Sequence, residues 1–286
     1  MALPPASRSV VITGVSTGIG LGTAKALSAR GYRVFGSVRK QEDADRVRAE
    51  LGAGFVPLIF DVTDAAAVAK ARQLVETELG GAGLGGLINN SGIALGGPLL
   101  HQPLDEVRRT FEVNVLGLLA VTREFAPLLG ASEHPKTLPG RIVNISSIGG
   151  KIAAPFIGAY VASKHAVEGL SVSLRRELLF YGIDVIVVGP GAVNTPIWDK
   201  STDIAPYEKT PYFPSLSRFT AYFVAQGRKG YGAEVFGEKI ARIFETRRPK
   251  VRYTVLKNYF SGWLLPRLLP ARAVDRALGK ATGLLK

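Results

Sequence analysis

The 286-residue chain contains no cysteine, which excludes disulfides and thiolate metal centres. Histidine is almost as scarce, and His101, His134 and His165 stand too far apart in sequence to suggest a metal cluster. No metal is expected. No run of about 18 apolar residues is available to span a membrane, and the opening MALPPASRS lacks the cationic start and apolar core of a signal peptide. A cytoplasmic location is therefore the expectation. Acidic residues are also in deficit, 23 against 36 Lys and Arg, for a net charge of +13. The imbalance sits at one end: Gly227 to Lys286 carries fourteen Lys and Arg against four Asp and Glu, leaving +3 for the first 226 residues. No DNA- or RNA-binding motif accompanies that basic tail, so nucleic acid is not an expected partner.

What is present is an alternation of short apolar runs with helical patterns, the signature of a parallel sheet flanked by helices. Strands are expected at Ser9 to Thr13, Arg33 to Val38, Val56 to Phe60, Gly86 to Asn89, Arg141 to Ser146 and Asp184 to Val188. Nearly all of their residues are apolar, as in strands covered on both faces. Helices are expected at Gly18 to Arg30, Glu42 to Leu51, Ala65 to Leu79, Leu104 to Leu129 and Pro155 to Phe180. That order predicts an α/β fold with a doubly wound sheet of about seven strands in a single domain, residues 7–254. A basic extension over 255–286 follows, and no repeat or low-complexity linker divides the chain.

Two stretches carry chemistry. Between the first strand and first helix lies Thr13-Gly14-Val15-Ser16-Thr17-Gly18-Ile19-Gly20. Glycines there permit a tight turn and a close backbone approach to pyrophosphate, and the helix N-terminus offers unpaired amides. Three glycines in eight residues also suit a plain tight turn, so the strand and helix on either side matter to the reading. In the second stretch, Tyr160 and Lys164 stand four apart on a predicted helix and share a face. A cation beside a phenol favours the phenolate and draws its titration, normally near ~10, towards neutrality. Ser147, just past a predicted strand, faces the same space. By itself the Tyr–Lys spacing is equally that of an ordinary amphipathic helix.

TGxxxGxG, Asn89-Asn90-Ser91-Gly92 after the fourth strand, Asn114, Ser147, Tyr160 and Lys164 occur in one order, and together they resemble the short-chain dehydrogenase/reductase family over residues 7 to 200. Ser91 replaces the alanine of the family's NNAG motif. The resemblance implies a Rossmann-like domain and Tyr160 as acid–base, with Lys164 lowering its pKa and bonding the nicotinamide ribose. It also implies that Ser147 polarises the reacting oxygen and that Asn114 holds a water joining Lys164 to solvent. For the cofactor it implies Gly14, Ser16, Thr17, Gly18, Ile19 and Gly20 at the phosphates, and Asp61 and Val62 at the adenine. Asn90, Gly92, Pro190, Gly191, Val193 and Thr195 would line the rest of its cleft, Thr195 meeting the carboxamide. It further implies a homodimer or homotetramer.

Cofactor choice turns on the end of the second strand, where Val38-Arg39 stands in place of an acidic residue that would bind a ribose 2′-hydroxyl. NADP(H) is expected over NAD(H). Beyond Thr195, residues 195–230 read as a lid rich in rings: Trp198, Tyr207, Tyr212, Phe213, Phe219, Tyr222 and Phe223, with Ile197. Such a lid suits a lipophilic steroid-, retinoid- or acyl-like alcohol or ketone, or packs on the protein's own core. The general look is similar to hydroxysteroid and retinol dehydrogenases. In the extension, Val274, Ala277, Leu278, Ala281 and Leu285 recur at helical spacing among Arg272, Arg276 and Lys280. Residues 263–286 thus predict a basic amphipathic helix for the protein body, a second subunit or an anionic membrane surface. Two other functions remain open: a ketoacyl-carrier-protein reductase using the basic tail, and a non-catalytic dinucleotide-binding regulator.

Overall fold

The computed structural model describes residues 8–132, 138–196 and 203–285. The start of the chain, His134, and Ile197 and Trp198 of the expected lid lie outside the described residues.

Seven strands form one parallel sheet in the order β3-β2-β1-β4-β5-β6-β9. They are β1 Ser9–Ile12, β2 Arg33–Val38, β3 Phe55–Ile59, β4 Gly86–Asn89, β5 Arg141–Ile145, β6 Asp184–Pro190 and β9 Arg252–Val255. The two-residue strands β7 (Val193–Asn194) and β8 (Tyr231–Gly232) pair separately. The order reverses between β1 and β4, whose register sets Val10 against Gly86 and Ile12 against Ile88. Loops leaving those two strands part at their carboxyl ends and open a crevice, as in other doubly wound sheets. The seventh strand, β9, is a short run in a basic stretch and carries no period that singles it out beforehand.

Helices cover both faces because the strands are apolar on both. On one side α1 (Gly18–Ser28), α2 (Gln41–Leu51) and α8 (Ala233–Glu245) bury Leu27, Val47, Phe236, Ile240 and Phe244 against Val10, Ile12 and Val34. On the other, α3 (Ala65–Leu79) and α5 (Leu118–Phe125) bury Val68, Val75, Val121 and Phe125 against Val11, Phe35 and Leu87.

Two helix expectations are corrected. Leu104 to Leu129 is not one α-helix: α4 (Leu104–Phe111) passes into a π turn at Glu112–Gly117 before α5 begins. The extra residue lets Asn114 bond inward, for reasons given below. The helix expected from Pro155 starts later, as α6 Gly158–Glu177, because Phe156 has φ +64°, outside helical space. Phe156 is buried and its carbonyl accepts from Gly97 N at 2.7 Å, contacts that hold the strained backbone in place.

After β7 come α7 (Phe213–Arg228) and α8; after β9 come a π turn at Phe260–Leu264 and α9 (Ala271–Thr282). Helix α9 rests against α7 with Val274 and Leu278 half-buried and Thr282 buried, while Ala277, Ala281 and Leu285 face outward. The buried stripe is therefore rotated from the expected one. Among the described residues no helix is long and apolar enough to cross a membrane.

Candidate active site

The crevice at the carboxyl ends of the strands is a cleft of about 1390 Å³. At one end lies the glycine turn. Gly14 and Gly18 have φ +70° and +61°, values open to glycine but costly to other residues. Side chains brace the turn from neighbouring strands: Gly14 N donates to Ser37 Oγ at 2.9 Å, and Asn90 Nδ2 donates to the carbonyls of Thr13 and Gly14 at 2.9 and 3.1 Å. Thr13 Oγ1 in return accepts from Asn90 N and Ser91 N, both at 2.9 Å. Ser37 is a residue that sequence reading passed over, since a serine in an apolar strand gives no signal until its partner is known.

Helix α1 begins with no side chain capping its N-terminus. Its first amides thus remain available to an anion. Ser16, Thr17, Gly18 and Ile19 line the cleft there. Gly20 does not; a methyl on it would overlap the Gly14 carbonyl oxygen, so this glycine lets helix and turn meet. The donor set and bare backbone fit a pyrophosphate. Arg39, Asp61 and Val62 line the adjacent rim, with Arg39 mostly exposed and its guanidinium 3.9 Å from the Asp61 carboxylate. Asn90, Gly92, Pro190, Gly191, Val193 and Thr195 continue the lining, and Thr195 lies against Gly18.

Deeper in the same cleft are Ser147, Tyr160 and Lys164. Ser147 follows β5, and its Oγ accepts from Gly149 N at 3.0 Å while its hydroxyl also bonds the Tyr160 phenol. Lys164 Nζ donates to Ile145 O at 3.0 Å and stands 5.8 Å from the centre of the Tyr160 ring. Asn114 lies behind them, wholly buried and outside the cleft lining. Its Oδ1 accepts from Ile93 N at 2.8 Å, and its Nδ2 donates to Ile93 O and Ser163 Oγ, both at 2.9 Å. The π turn is what frees this side chain to bridge the loop after β4 to α6.

Electrostatics here differ from the expected pattern. Burial pushes the Tyr160 phenol above its ordinary 10, and the Ser147 hydrogen bond opposes this as the smaller effect. Lys164, expected to lower the phenol, is not among the causes of this shift; its ammonium donates to the Ile145 carbonyl while standing over the Tyr160 ring. Burial lowers Lys164 itself to about 8, partly offset by the Glu168 carboxylate.

The opposite wall is apolar. Phe219 and Phe223 stack at 5.1 Å and line the cleft with Phe156, Ile157 and Leu216, while Tyr222 stands exposed at its mouth. Tyr207 and Tyr212 do not reach the cleft but pack behind this wall with Phe156. The aromatic stretch is thus split between rings that line the cleft and rings that pack on the protein's own core.

Comparison with known proteins agrees with this geometry. Residues 8–205 match the family described as short chain dehydrogenase. The chain is 37% identical to an NADPH-dependent 3-dehydrocapnine reductase of Ornithobacterium rhinotracheale, over 96% of each chain. It is 32% identical to human retinol dehydrogenase 5, covering 97% of this chain and 89% of that one. The crystal structure of a short-chain dehydrogenase from Streptomyces avermitilis superposes with a TM-score of 0.75 at 27% identity, covering 96% and 98% of the two chains. With the glycine turn, the parallel sheet and the family match in agreement, this chain belongs to the short-chain dehydrogenase family of oxidoreductases.

Proposed function

We propose that the protein is an NADP(H)-dependent enzyme interconverting a lipophilic alcohol and its ketone or aldehyde, with Tyr160 as acid–base. The observation that carries this reading is the meeting of the Tyr160 phenol, Ser147 hydroxyl and Lys164 ammonium in the cleft that also receives the glycine turn. The nicotinamide supplies or accepts a hydride when bound. In the reductive direction Tyr160 gives its proton to the carbonyl oxygen as the carbon is reduced, and Ser147 donates a hydrogen bond to that oxygen. Lys164 keeps a positive charge near the phenol and stabilises the phenolate left behind. Asn114 fixes the loop after β4 against α6 and so keeps that geometry.

Residues of the Gly14–Gly20 turn would hold the pyrophosphate, Asp61 and Val62 the adenine, and Asn90, Gly92, Pro190, Gly191, Val193 and Thr195 the remainder. Arg39 favours a 2′-phosphate, in line with the NADPH dependence of the 37% identical relative. The Phe219–Phe223 wall favours an apolar substrate, in line with the retinol dehydrogenase relative. The test is NADPH oxidation against a panel of steroid, retinoid, acyl and small ketones. The Tyr160→Phe protein should lose about 10²- to 10⁴-fold in turnover with the best of them; retention of most turnover would overturn the assignment. Equal or better use of NADH would overturn the cofactor preference.

A further inference from the structure

Glu168 is an acid in a place that gives it almost no water. It lies on α6 one turn beyond Lys164 and is 3% exposed. Arg252, on β9, donates from Nε to both of its carboxylate oxygens at 2.9 and 3.0 Å. Lys151 Nζ, from the loop after β5, lies 3.6 Å away. The Arg252 guanidinium also donates to the Ser147 backbone carbonyl at 3.3 Å and to Thr254 Oγ1, and it covers the Trp263 ring at 4.6 Å. Glycines leave the slot open: a methyl at Gly189 would collide with the guanidinium, and one at Gly150 with the Glu168 side chain.

Burying two such charges costs desolvation that apolar residues of the same volume would avoid, so the pair is poor evidence of stabilisation alone. Its contacts point elsewhere. Arg252 donates to the carbonyl of Ser147, and Glu168 is a carboxylate whose charge acts on Lys164.

We propose that Glu168 and Arg252 are positioning residues of the reaction, fixing the Ser147 peptide and setting the field at Lys164 while Trp263, covered by Arg252, ties that arginine to the C-terminal segment. The proposal rests on the roles given above to Ser147, Tyr160 and Lys164. On its own helix Lys164 faces Tyr160 and Glu168; Asn114 and the Ile145 carbonyl, its other neighbours, are neutral. Charges facing Glu168 from other elements are Arg252 and Lys151.

The pair makes predictions of opposite sign. Glu168→Gln removes the anion and leaves Arg252 positive, so Lys164 should titrate at lower pH. Arg252→Gln leaves the anion unneutralised, so Lys164 should titrate at higher pH. The double variant should return towards the parent. Lysine ¹³Cε resonances of the labelled protein, with Lys164→Met assigning the signal, read the midpoint without any substrate. Shifts of about half a unit or more in the stated directions are expected. Unchanged midpoints in folded variants would overturn the proposal.

Should Arg252→Gln fail to fold, reversal of the Glu168→Gln shift by the double variant decides it. A second readout is NADPH oxidation with all-trans-retinal as the probe. Arg252→Lys keeps the charge but loses the fork, and should lower kcat about tenfold with little change in KM for NADPH. The two readings fail separately: an active Tyr160→Phe protein breaks the assignment of the site, whereas an inactive one with unmoved Lys164 midpoints breaks only the role of the pair.

Discussion

The two walls of the cleft are built on different principles. Around the glycine turn and α6, several positions are fixed by specific partners or backbone: Asn114 makes three hydrogen bonds, Asn90 bonds two carbonyls, and Gly14 and Gly18 occupy left-handed backbone space. Across the cleft, the wall of Phe219, Phe223, Ile157 and Leu216 is held by apolar packing that tolerates exchange among residues of similar volume. Substitutions should therefore be severe on the first wall and graded on the second. The largest effect is expected at Gly20. An alanine there drives its methyl into the Gly14 carbonyl, and relief requires shifting either α1 or the turn. Gly20→Ala should cost about 3 kcal/mol, as overpacking in a rigid site does, and abolish NADPH binding seen by fluorescence. A variant with parental Tm and affinity would show the turn to be softer than its contacts imply.

Asn114 comes next. Asn114→Ala leaves the half-buried Ile93 N–H and C=O without this partner and takes one of two hydrogen bonds from Ser163 Oγ, which keeps its bond to the Tyr160 carbonyl. Unsatisfied buried groups cost about 1–3 kcal/mol each, part of which returning water recovers, so a loss on the order of 3 kcal/mol by urea unfolding is expected. Phe219→Ala tests the other wall. Phe219 stacks on Phe223 and meets Phe156 edge-on at 5.6 Å, but its cluster is small and open to the cleft. A cost of about 2 kcal/mol, below the usual core value for phenylalanine, is expected. Its kinetic mark should be a raised KM for an apolar ketone with kcat nearly kept. A fall in kcat instead would move Phe219 from the substrate wall into the catalytic geometry.

The same contrast explains what the sequence made legible. Gly14, Asn90 and Asn114 sit where backbone or hydrogen-bond geometry restricts the residue type, and with Ser147, Tyr160 and Lys164 they form the ordered motif set whose family resemblance suggested the site. Tyr207 and Phe219 are of one chemical class and lie twelve residues apart, yet one packs behind the wall and the other lines the cleft. Nothing in a ring's identity says which way it faces. The π turn escaped for a related reason: Leu104 to Leu129 has continuous helical periodicity, and the inward pull on Asn114 comes from Ile93 and Ser163, distant in sequence. Arg252 and Glu168 were equally hidden, being 84 residues apart and meeting only once β9 pairs with β6 beside α6.

The smallest expected effect compares Lys164 with Tyr160 inside the first wall, and its sign follows from linkage. Burial brings folded Lys164 to about 8, below its ordinary 10.5. Between those values the unfolded chain holds the proton and the folded chain has released it, so this group makes stability rise with pH across that window. Below it the full desolvation cost is present. Tyr160 acts oppositely: its folded phenol is raised above 10, so folded protein keeps a proton that unfolded protein loses, and stability falls above that pH. Urea midpoints measured at about pH 7 and about pH 9.5 isolate the lysine contribution, because the phenol has barely begun to titrate there. Relative to Lys164→Met, the parent should gain stability between the two pH values. A parent that gains nothing over the methionine variant would mean that the Ile145 carbonyl and Glu168 compensate the buried ammonium fully, leaving the first wall without the electrostatic strain ascribed to it.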